Sequence, residues 1–178
     1  MARSILHLSI RSNSNEHKMK SYLPLKVVLH RIGEPLLEDF GASRVTLDSP
    51  QYIFDFWKNV IASKPDFEPD KEHLFVILLD TKLRPKGYHL TALGSLNECT
   101  AHPLSIFRPA IVAAAYAFVL AHNHPSGDPQ PSEADRRLTN SLREGAALLQ
   151  IKFLDHVVIG HPSAANIPYF SFREAGLL

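Results

Sequence analysis

The chain has 178 residues, 45% of them hydrophobic and 21% charged, and a formal net charge of +1 with its ten histidines neutral. That length suits one domain with an added segment and allows a sizeable buried core, and the near-zero charge singles out neither nucleic acid nor an acidic membrane as partner. A single cysteine, Cys99, excludes an intrachain disulfide and a cysteine-based zinc knuckle, which fits a reducing, cytoplasmic setting.

Residues 1–20 turn polar and Ser/Asn-rich after the first few positions, as expected of a mobile amino-terminal arm. The opening MARSILHLSIRSNSNEHK breaks its short apolar patch with Ser, His and Arg, so no signal peptide is expected there. No run has the length of a membrane span, and no membrane partner is expected. Residues 21–46 form an extension in which Leu23 to Ile32 is predicted as a strand at a sheet edge. Ser49 then Pro50 is a helix start: a capping hydroxyl followed by proline at the first helical position. The helix carries Ile53, Phe54, Trp57, Val60 and Ile61 at three- to four-residue spacing, a stripe facing the core.

Lys64 to Lys71 is a Pro/Asp-rich connector, and His73 to Asp80 is apolar enough for a central strand buried on both faces. Thr81 to Lys86 turns the chain into a second strand, Gly87 to Gly94. Pro103 to Ala114 reads as a helix, Tyr116 to Ala121 as a buried strand, Glu133 to Leu149 as a helix and Ile151 to Gly160 as another strand. This order predicts an α/β fold, a mixed β-sheet flanked by helices.

The strand from Tyr116 runs into His122-Asn123-His124-Pro125-Ser126-Gly127-Asp128-Pro129-Gln130-Pro131-Ser132-Glu133-Ala134-Asp135. Residues two apart on a strand face the same way, so His122 and His124 can reach one metal ion, and the loop is long enough to bring Asp135 back to them. Two imidazoles, a carboxylate and an open position are the ligand set of a catalytic zinc. The position at a strand's carboxyl end, with Asp135 opening the next helix, is where α/β folds usually place ligands. The competing reading is a plain capping box, Ser132-x-x-Asp135, which needs no metal. The two roles are expected to compete for the lone pairs of Asp135.

The spacing His-x-His, seven residues, Ser, two residues, Asp resembles the metalloprotease motif of the JAB/MPN (JAMM) domains. The wording HNHPSGDPQPSEAD, with LDTK upstream, LDHVVIG downstream and the ending FSFREAGLL, is similar to the RadC-like branch over residues 47–178. The resemblance implies the JAB/MPN fold, related to that of cytidine deaminases, and one zinc per chain bound by His122, His124 and Asp135 with a water in the fourth position. It also implies that Ser132 hydrogen-bonds this water or the reacting oxygen and that Glu72 is the general base, with Glu68 as rival. The implied reaction is hydrolysis of an amide or isopeptide bond in a peptide or protein. The alternatives are a zinc-containing binding module of DNA-repair or replication machinery without turnover, and a nucleic-acid-processing hydrolase. No helix-hairpin-helix segment of the kind many RadC relatives carry is recognised, and HPLSIFRPA departs from the usual H-P-R-E-x-F at Leu104 and Ser105.

The remaining candidates carry no expected chemistry. His156 is taken as a core histidine rather than a partner behind the site, Trp57 as core and Cys99 as a small buried hydrophobe; His73, His89, His102 and His161 are given no role. HNH nucleases spread their motif over a longer unit, and zinc deaminases need a P-C-x-x-C that one cysteine cannot supply.

Overall fold

Strand β2 (Glu72–Leu79) is the inner strand on which the architecture rests: every residue from His73 to Leu79 is buried. The computed structural model describes residues 30–31, 45–94, 101–161 and 167–178. The expected arm over residues 1–20, most of the strand expected over Leu23 to Ile32, and Cys99 lie outside the described residues. Among them the strands form one six-stranded sheet in the order β1-β3-β2-β4-β5-β6, with β1 (His30–Arg31), β3 (Pro85–Gly94), β4 (Ala117–Asn123), β5 (Lys152–Ile159) and β6 (Tyr169–Ser171). Strand β2 runs antiparallel to both β3 and β4, β4 is parallel to β5, and β6 returns antiparallel to β5. The sheet is mixed, as expected for the α/β class.

Alternation along β2 sorts the core into two layers. Phe75, Ile77 and Leu79 join Val119, Ala121 and Val157 beneath helix α1 (Pro50–Phe56) and the π-helical turn Trp57–Ile61. Ser49 caps α1 through its side chain, and Trp57 meets Phe67 and Phe75 edge-on. On the other face Leu74, Val76 and Leu78 pack with Phe118 and Leu120 against Ile106 and Phe107 of α2 (Pro103–Val112) and Leu142 and Ala146 of α3 (Glu133–Leu149). Burying both faces of β2 and β4 explains why these strands read as unbroken apolar runs.

Most element ends fall within a residue or two of the expectations, and two differences bear on the fold and the site. Strand β6, the Tyr-Phe-Ser at 169–171, lacks a period long enough to be read from sequence and is held by pairing Val157 with Ser171 and Ile159 with Tyr169. Strand β2 begins at Glu72 rather than His73, so Glu72 pairs with Gly94 inside the ladder. Because β2 and β4 are antiparallel, the start of β2 and the end of β4 share one edge of the sheet, with Leu74 opposite His122. No helix among the described residues is long and apolar enough to cross a membrane.

Candidate metal centre

His122 enters the site from the last turn of the β4 ladder and is fully buried. It shares the face of Phe118 and Leu120, so its ring points toward the start of α3. The chain then leaves the sheet, but His124 N–H still donates to Ile159 O at 2.9 Å, which extends the parallel register by one residue. Gly127, at φ +82°, turns the loop; His161 N–H donates to Gly127 O at 2.9 Å and holds the loop against the end of β5. An L side chain at Gly127 would be strained by that φ and would press on the His161 ring.

The loop delivers Ser132 as the N-cap of α3 and Asp135 to its third position. Ser132 and Asp135 do form the capping box: Asp135 N–H donates to Ser132 Oγ at 3.2 Å and Ser132 N–H to Asp135 Oδ2 at 2.7 Å. The expected competition between cap and site does not arise, because the carboxylate divides its oxygens. Oδ2 takes the cap, and Oδ1 stands 3.2 Å from His122 Nε2. Ser132 Oγ also donates to Asp135 Oδ2 at 2.6 Å, so its single proton faces the carboxylate.

Glu72, His122, His124 and Asp135 present ligand atoms that all lie within 4.8 Å of one another. The two Nε2 atoms are 3.0 Å apart, and His124 Nε2 is 3.6 Å from Asp135 Oδ2. Ligands at zinc distances of about 2.0–2.1 Å in a tetrahedron stand about 3.3 Å from one another, and the separations of His122 Nε2 from His124 Nε2 and from Asp135 Oδ1, 3.0 and 3.2 Å, suit such an ion. Glu72 Oε1 is farther back, 4.0 Å from His122 Nε2, at the distance of a carboxylate facing the cluster from outside it. His124 Nδ1 lies 2.8 Å from Asp128 O; a carbonyl only accepts, so Nδ1 carries a proton and a neutral ring turns a bare Nε2 to the site.

The charges answer to these contacts. Burial would raise the Asp135 carboxyl, yet the adjacent His122 and His124 rings, with the Ser132 hydroxyl, outweigh it and hold the group far below the usual carboxylate range. Burial works to lower His124, but Asp135 and the Asp128 carbonyl raise it overall. Glu72 is raised, chiefly by burial, against the pull of both histidines. Glu68 is elsewhere: it is exposed and paired with Lys71 at 2.8 Å.

Three residues shape the centre that were not expected to: Asn123 and Thr139, which carried no expected role, and His156, expected to serve only as a core histidine. Asn123, the middle letter of His-Asn-His, points to the opposite face from His122. Its Oδ1 accepts from His73 N–H at 3.0 Å and its Nδ2 donates to Lys71 O at 2.9 Å, so one side-chain amide clamps the backbone on both sides of Glu72. His156 is fully buried, as a core residue would be, but it also touches the site: its Nε2 is 2.9 Å from His122 Nδ1, and its Nδ1 is 2.7 Å from Thr139 Oγ1. Burial holds the His156 ring well below the ordinary histidine pKa. Thr139 lies one helical turn beyond Asp135 and donates to its carbonyl at 2.7 Å. That i, i+4 spacing was the one signal available for Thr139. His73 keeps a packing role, stacked on Phe67 with its centroid 4.5 Å away.

A family model described as RadC-like JAB domain matches residues 47–177. Among the curated relatives, a UPF0758 protein of Chlorobaculum parvum is 42% identical over 132 residues, covering 74% of this chain and 55% of the relative. A UPF0758 protein of Chlorobium luteolum is 46% identical over 112 residues, or 62% of this chain and 48% of the relative. A UPF0758 protein of Symbiobacterium thermophilum is 36% identical across 99% of this chain and 71% of its own length. The chain thus spans about half the length of most of these relatives.

Proposed function

The chain belongs to the RadC-like JAB domain family, and from that premise we propose that it is a zinc-dependent hydrolase of peptide or isopeptide bonds. The observation that carries this reading is the convergence of Glu72, His122, His124 and Asp135 at one sheet edge, with three donors spaced for one ion and a carboxylate behind them. His122, His124 and Asp135 would hold the zinc. When bound, the ion supplies a Lewis acid that makes water acidic enough to react near neutral pH.

The remaining steps belong to the protein's own groups. Glu72 takes the proton of the attacking water on a carboxylate oxygen as the water oxygen bonds to the amide carbon. It then gives that proton to the leaving nitrogen as the carbon–nitrogen bond breaks. Its partial burial raises its proton affinity, which suits a group that must both accept and release. Ser132 holds Asp135 Oδ2 at rest and turns its hydroxyl to the reacting oxygen when substrate arrives. A scaffold without turnover would have no use for a partly buried carboxylate facing the donor set, which favours the enzyme over the binding module.

The test joins metal analysis of the purified protein to a proteome-wide cleavage comparison between wild type and Glu72→Gln. One zinc per chain in both proteins is expected, with cleavage lost by about 10²–10⁴-fold in the variant. Identical cleavage patterns, or loss of zinc along with activity, would remove Glu72 from the role of base.

A further inference from the structure

Behind His122 lies a chain of groups shut off from solvent whose hydrogen-bond directions all follow from a single proton. Thr139 is 1% exposed, and His156 and His122 are 0% exposed. Thr139 Oγ1 is 2.7 Å from Asp135 O, and a backbone carbonyl only accepts, so the hydroxyl proton goes there. The same oxygen lies 2.7 Å from His156 Nδ1 and has only a lone pair left to offer, so His156 Nδ1 must carry a proton. His156 stacks on Phe172, with ring planes 9° apart, and its nitrogens face a hydroxyl and an imidazole rather than a carboxylate. A buried ring with no counter-ion in contact stays neutral, so its second nitrogen, Nε2, is bare. His122 Nδ1, 2.9 Å away, must then donate to it. In a neutral His122 the other nitrogen, Nε2, is the one with a free lone pair, and it is the atom that faces Asp135 and His124.

We propose that Thr139 and His156 are positioning residues that set the tautomer of His122 and thereby the zinc affinity of a cluster to which neither of them offers a ligand atom. The inference rests on the reading of that cluster as a zinc site. The chain begins at the carbonyl of Asp135 and ends at His122, so it couples two ligands through the back of the site. Its weak point is Thr139. Valine has nearly the same shape but no lone pair, so His156 loses the acceptor that keeps its proton on Nδ1. The ring can then place its proton on Nε2 and donate to His122 Nδ1, which pushes the His122 proton onto Nε2 and blocks ligation there. Partners of this kind behind metal-bound histidines typically contribute about 10–100-fold in metal affinity.

The experiment is competition of the 178-residue chain with a chromogenic chelator for zinc itself, on wild type, Thr139→Val, Thr139→Ser and His156→Phe, with metal-free melting curves on each. Thr139→Val and His156→Phe should bind zinc about 10–100-fold more weakly, while Thr139→Ser, which keeps the hydroxyl, should match wild type. Wild-type affinity in folded Thr139→Val or His156→Phe would overturn the chain. So would a serine variant as weak as the valine one, since loss of packing alone would then account for both. Wild-type protein that takes up no zinc would defeat the metal-site reading and this inference together, whereas failure of the inference alone leaves the wild-type affinity in place.

Discussion

Asp135 is the residue at which two ordinary chemistries meet. Its Oδ2 completes the N-terminal cap of α3, and its Oδ1 faces the histidines. Alanine would remove both functions at once, so asparagine is the informative change: its side-chain oxygen can still accept from Ser132 N–H, but it brings no negative charge to the donor set. Asp135→Asn should therefore leave metal-free stability within the range of a weakened cap, about 0.5–2 kcal/mol, while zinc binding falls sharply. Calorimetric zinc titration alongside metal-free melting measures both quantities. Zinc affinity equal to wild type would return Asp135 to capping alone.

At the scale of the element, the edge where β2 begins and β4 ends does more than align two strands. The β2–β4 pairing is regular up to Leu74 and His122. One residue further on, the side chain of Asn123 continues the hydrogen bonding that the backbone would otherwise supply, across Lys71 O and His73 N. Glu72 sits between the two clamped points, with its partner Gly94 on the other side. Asn123→Ala should leave the buried His73 N–H unsatisfied at about 1–3 kcal/mol. It should speed hydrogen exchange of that amide and lower hydrolysis through a loosened Glu72, with zinc binding retained because Asn123 points away from the donors. Unchanged exchange at His73 would show that the clamp does not hold this edge.

For the molecule as a whole, the side chains that could hold a metal come from three elements: β4, the loop after it, and α3, with Glu72 from β2 beside them. A metal that binds only when these are assembled stabilises the folded state by mass action, by about 2.7 kcal/mol at a free concentration a hundred times its Kd. Zinc should raise the melting temperature of wild type, a chelator should reverse the rise, and His122→Ala should show neither effect. An equal zinc-dependent rise in His122→Ala would place the bound ion somewhere other than this cluster.

Local patterns carried much of this in the chain itself. The unbroken apolar runs of β2 and β4, the Ser49-Pro50 start of α1 and the limits Glu133–Leu149 of α3 were legible because each depends on neighbours a few residues away. The convergence of His122, His124 and Asp135 was legible for the same reason: strand periodicity and one loop decide whether those donors can meet. What required the tertiary structure depends on pairing between distant segments. Glu72 could be separated from Glu68 only by the register that places Leu74 opposite His122, because spacing within one segment cannot say which strand lies beside another. His156 reaches His122 through the parallel β4–β5 ladder, and Asn123 reaches residues fifty positions earlier in the chain. The donors that could bind a metal were therefore written locally, while the groups that orient those donors were decided by the sheet, since a hydrogen bond across strands has no period in sequence.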